Sequence, residues 1–208
     1  MTDLYIFTYN ALFYPDSGPR PRQRAAVGRF FDGLRNGQIE GQAAVLWPYY
    51  EVGQRYALKV AGLDDRRLSH LPNEAQAEKN AVNMAESLGI DPARVYQCFK
   101  WSNYTDKRAP LGPGPTPEAR KTDPRWSLYW RFPEPGIVAE ALKDAGIGPG
   151  GALLVYEHSN EKKAADRLFL ANCYSARFFL SYPNHDRYVE RRRVTRRPLD
   201  AFTEEADR

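Results

Sequence analysis

Apolar residues occur in short runs whose period changes along the chain, and each change predicts a new element. In LYIFTYNALF (4–13) an extended chain puts Leu4, Ile6 and Thr8 on one face and Tyr5, Phe7 and Tyr9 on the other. This predicts a first strand with an aliphatic side and an aromatic side. YPDSGPRP breaks it. From about Arg22 to Arg35 the spacing becomes helical, with Val27, Phe30, Phe31 and Leu34 as a buried stripe and Arg22 and Arg29 opposite. AAVLWPYYEVGQRYALKVAG predicts two strands, 43–49 and 54–61, joined by a tight turn near Glu51–Gly53. Pro48 marks an edge position or a strand end. A second helix follows over 74–88. Asn73 and Gln76 have capping-box spacing, Ala77, Ala81, Met84, Ala85 and Leu88 form the stripe, and Gly89 closes the last turn. ARVYQCFKW (93–101) predicts the next strand.

The order β-α-β-β-α-β predicts an α+β fold, with a ferredoxin-like unit over 1–102. Two helices would cover one face of an antiparallel sheet and leave the aromatic face of the first strand open or set against another layer. Residues 103–125, with five Pro and two Gly and no apolar period, form a loop or linker. A second α+β unit spans 126–208. It begins with a strand in which Trp126, Leu128, Trp130 and Phe132 alternate with Ser127, Tyr129 and Arg131. A helix over 136–145 carries Ile137, Val138, Ala141 and Leu142. Then come a strand in GALLVYEH, a short helix capped by Ser159 or Asn160, and one long or two short strands in LFLANCYSARFFLSY. RYVERRRVTR would be the last strand, ended by Pro198.

Charge sharpens this picture at one place. The net charge is +4, yet residues 187–197 hold six arginines and one acid, so the rest of the chain sums to −1. A local patch of this kind suits a localised anionic partner. Arg187, Arg191, Arg192, Arg193, Arg196 and Arg197 would grip phosphates by bidentate hydrogen bonds, and Tyr5, Phe7 and Tyr9 would stack bases on an open sheet face. Arg22, Arg29, Lys107 and Arg108 are further contacts on this reading. The leading expectation is therefore a non-enzymatic module that binds nucleic acid, single-stranded or RNA, or sits within a ribonucleoprotein complex. The bland alternatives are a solvated strand edge that opposes aggregation and aromatics that serve as core. QRYALKVA (54–61) matches the RNA-recognition pattern only at Tyr56 and Ala57, with Arg55 where glycine belongs.

Two other function classes compete. A protein-interaction or inhibitor module would dock through the Pro-rich loop and the Tyr- and Trp-bearing surface. A metal-independent ribonuclease would use His158 or His185, each beside a carboxylate, as general base. Tandem ferredoxin-like units resemble, in architecture only, the repeat-RNA-processing proteins of CRISPR systems. The sequence shows no P-loop, no G-x-S-x-G and no H-E-x-x-H, and GIGPGG (146–151) lies after a helix and before a strand, the reverse of a phosphate-cradling loop. No cofactor and no metal site is expected: three histidines lack ligand spacing and two cysteines, Cys98 and Cys173, are too few for a disulfide framework. No leader and no apolar span is evident, which predicts a soluble cytoplasmic protein without a membrane partner.

Overall fold

A computed structural model describes residues 2–13, 21–101 and 122–181. Five strands form one sheet: β1 (Leu4–Thr8), β2 (Gln42–Trp47), β3 (Val95–Gln97), β4 (Ala152–Tyr156) and β5 (Asn172–Ser175). Their order is β3-β2-β1-β4-β5, and every pair is parallel. The helices are α1 (Tyr9–Leu12), α2 (Pro21–Arg35), α3 (Tyr50–Val60), α4 (Glu74–Leu88), α5 (Gly136–Ala145), α6 (Ser159–Asp166) and α7 (Ala176–Ser181).

This corrects the antiparallel, ferredoxin-like expectation. The fold is α/β and doubly wound: parallel neighbours need crossover connections, and those connections lay helices on both faces. On one face Tyr5, Phe7, Val45, Trp47 and Val155 meet Phe30 and Phe31 of α2, Met84 and Leu88 of α4 and Phe179 of α7. On the other face Leu4, Ile6, Leu46 and Leu154 meet Ile137, Val138 and Leu142 of α5 and Ala164 and Ala165 of α6. β1 is buried at every position. Its alternation is real, but it separates two interior layers.

Local signals held where the information is local. α2 ends at Arg35 as its stripe predicts, with Val27, Phe30 and Phe31 buried. α4 carries the full Asn73–Gln76 capping box and closes on Gly89 at φ 68°. The segment 54–61 differs: it belongs to helix α3. Pro48 follows the end of β2, and Val52 with Tyr56 then continue at helical spacing toward Phe99 and Trp126. Gly53 is no turn glycine. A Cβ there would lie 2.0 Å from the Phe99 carbonyl oxygen, so its absence lets α3 press against the exit of β3. Residues 124–130 are two 3₁₀ turns, Pro124–Trp126 and Leu128–Trp130, with Asp123 and Ser127 accepting from backbone N–H groups at their starts. Trp126 and Trp130 are buried in different clusters. The long strand expected in 168–182 shortens to β5 followed by α7. The last expected strand, 187–197, and nearly all of the 103–125 loop lie outside the described residues. No described helix is long and apolar enough to cross a membrane.

Two glycine substitutions separate packing from propensity. Gly53→Ala should lower stability by about 2–3 kcal/mol by overpacking. Gly28→Ala, on the exposed side of α2 with nothing within 4 Å of a new Cβ, should raise it by about 0.5–1 kcal/mol. Urea unfolding midpoints of the two variants check this.

Candidate functional site

In parallel α/β sheets the strand order reverses at one place, and the loops leaving the carboxyl ends there diverge to leave a crevice. Here the reversal lies between β1 and β4. β1 ends in Thr8, Tyr9 and Asn10, and β4 ends in Tyr156, Glu157 and His158.

One side chain ties the two ends together. Glu161, in the first turn of α6, is 2% exposed. Its Oε2 accepts the Thr8 hydroxyl at 2.8 Å and the backbone N–H groups of Glu157 and His158, each at 2.9 Å. Its Oε1 accepts the Asn10 side-chain amide at 3.0 Å. Four donors surround this carboxylate, which is what a charge taken out of water requires. Thr8 is itself fully buried. Both its hydroxyl and the carboxylate are thus committed to the fold.

Above this clamp lies a cleft of about 400 Å³. Asn10, His158 and Asn160 form its floor side, Tyr50, Glu51 and Gln54 at the start of α3 another wall, and Trp101, Arg131 and Phe132 close it. The Arg131 guanidinium carbon sits 5.3 Å from the centre of the Tyr50 ring, a cation–π contact that fixes the charge at the wall. α3 starts without a side-chain cap, so its first N–H groups and dipole add positive character there. Arg131 and Lys100 are also felt as positive charges by Cys98, although burial outweighs them and pushes that thiol up to about 12. Glu51 is the one exposed acid among the lining residues.

Next to the cleft, Tyr9 stacks on Trp47 with ring centres 4.6 Å apart and 2° between planes, and Trp47 stacks on Tyr49 at 4.3 Å. Burial raises both tyrosine hydroxyls above their usual range, with neighbouring Glu51 adding to the effect.

Of the described residues that the sequence singles out for function, only His158 lines the cleft. Tyr9 leaves the strand and stands beside it. Tyr5 and Phe7 are 5% and 0% exposed and pack edge-on against Phe30, so no base can stack on them. Arg29 is exposed on α2, away from the clamp. Arg22 belongs to α2, but its side chain lies outside the described residues. So do His185, Lys107, Arg108 and the arginines Arg187, Arg191, Arg192, Arg193, Arg196 and Arg197. Sequence reasoning missed Asn10, Arg131 and Glu161. The available signals were two polar residues, Thr8 and Asn10, at the end of an apolar run, and a glutamate three positions after His158, the spacing of a cap.

Comparisons with known proteins add little. No family model matches the chain, and no curated protein does. A solved structure, the D,D-heptose 1.7-bisphosphate phosphatase from B. bronchiseptica complexed with magnesium and phosphate, aligns with a TM-score of 0.47 and 14% identity. The alignment covers 84% of this chain and 79% of that one. At that distance nothing about substrate or mechanism passes to this chain.

The expectation of a nucleic-acid module is nonetheless overturned. Its base-stacking surface was to be an open sheet face carrying Tyr5, Phe7 and Tyr9. The sheet is parallel and covered by helices on both faces.

Removing the clamp carboxylate by Glu161→Ala strands Thr8 and two backbone donors, and should cost about 2–4 kcal/mol in a denaturation experiment. Stability should also fall at high pH. Cys98, Cys173 and Tyr96 titrate from 9.0, 9.0 and 10.0 up to about 12, 11 and 12 on folding, in each case chiefly through burial. The folded state therefore holds these protons more tightly. Their contribution is complete below pH 9 and is lost as pH rises toward 12. Urea midpoints at pH 7, 8 and 10.5 should be nearly level over the first interval and drop over the second.

Proposed function

We propose that this chain binds a small organic anion, a carboxylate or phosphate ester with an apolar portion, in the cleft at the β1–β4 crossing. The observation that carries this is Arg131, fixed over Tyr50 at the wall of a cleft that opens at the carboxyl edge of a parallel sheet. Guanidinium groups favour carboxylate and phosphate oxygens over neutral ligands through their charge and N–H donors. Tyr50, Trp101 and Phe132 supply the apolar wall typical of small-molecule sites, and Asn10, Gln54 and Asn160 supply the few polar contacts that orient a ligand. The reading is of binding. The buried carboxylate is saturated and Thr8 is sealed beneath it, so neither serves as nucleophile or base without breaking the clamp.

Isothermal titration against a panel of aryl and alkyl carboxylates and phosphate esters tests this. The parent protein should bind members of the panel, with affinity that falls as salt rises. Asn160→Asp puts a negative charge in the first turn of α6, where helices favour it, so the fold should be unharmed. The same charge should weaken binding of anions about tenfold. Uncharged analogues that bind as well as the acids, or equal binding by the variant, would sink the proposal.

A further inference from the structure

The clamp also sets the hydrogen-bonding polarity of the cleft floor. The Glu161 carboxylate accepts, so the Asn10 side chain must turn its NH2 toward Oε1, as the 3.0 Å contact shows. The Asn10 carbonyl oxygen is then the edge left over. Asn10 is half-buried and lines the cleft, and among the described residues no hydrogen bond is made to that oxygen. A half-buried acceptor seeks a donor.

Resting on the anion-binding reading above, we infer that the preferred ligand carries a hydrogen-bond donor, a hydroxyl or an amine, beside its anionic group, and that Glu161 is the positioning residue that enforces this. The anion meets Arg131, the apolar part meets Tyr50, Trp101 and Phe132, and the donor meets the Asn10 oxygen. A keto or plain analogue offers no donor and leaves that oxygen unpaired.

Three matched probes read this out: 3-phenyllactate, 3-phenylpropionate and phenylpyruvate, which share ring and carboxylate and differ in one substituent. Titration of the full chain should rank phenyllactate above both others by about 3- to 10-fold. Asn10→Ala should bring the three affinities together while carboxylate binding persists. Glu161→Gln gives the second readout. Its amide oxygen can still take the Thr8, Glu157 and His158 donors, and its NH2 then faces Asn10, which must flip and present its own NH2 to the cleft. The preference for phenyllactate over phenylpyruvate should then vanish or invert. A loss of stability alone would lower all three affinities together and would not move their ratio. Equal binding of the three probes by the parent protein would overturn the inference and leave anion binding standing. An unchanged ratio in both variants would do the same. Binding of none of them, with none of the wider panel, would overturn both.

Discussion

A buried carboxylate with four donors holds the carboxyl ends of the two central strands together. Glu161 comes from the first turn of α6, Thr8 and Asn10 from the exit of β1, and the two backbone donors from the turn that leaves β4. Two parallel strands diverge at this point, and their loops would otherwise part. Coulomb attraction between a desolvated charge and fixed dipoles is strong in a low-dielectric interior, and costly if any partner is missing. The clamp therefore fixes the distance between the β1 and β4 loops, and so the shape of the cleft above.

The rest of the architecture delivers these groups to that point. β1 is central because it is apolar on both faces, with a parallel neighbour on each side. Helices α5 and α6 cover one face through small and aliphatic side chains, while α2, α4 and α7 cover the other with an aromatic-rich layer around Phe7 and Phe30. α3 is drawn in against Phe99 by the missing Cβ of Gly53, which carries Tyr50 and Glu51 to the cleft wall. Arg131 follows the second of two short 3₁₀ turns and lies over Tyr50. The cleft thus forms where three separate stretches of the chain end.

The charge balance of the cleft follows from the same geometry. Glu161 bears a charge, but its donors consume it. Glu51 sits at a helix start, where its charge is offset by the dipole. The Arg131 guanidinium, held over the Tyr50 ring, brings a positive charge to the same wall.

Much of the helical structure was legible in the sequence, because caps and stripes depend on residues three or four positions apart. The Asn73–Gln76 box and Gly89 bounded α4, and Val27, Phe30 and Phe31 gave the buried side of α2. The apolar runs of β1, β2 and β4 marked strands, and GALLVYEH and the helix after it lay where expected. Strand direction and order were not legible. A strand buried on both faces needs no polar alternation, and β1 alternated between aliphatic and aromatic residues, which looked like an inside and an outside. Gly53 looked like a turn because a packing glycine and a turn glycine are the same letter. The candidate site was the least legible part. Thr8 and Glu161 are 153 residues apart. Local chemistry put a hydroxyl at the end of one strand and a glutamate at the start of one helix. Only the parallel crossing of β1 and β4 brought them within 2.8 Å, and that contact is decided by the packing of the whole sheet.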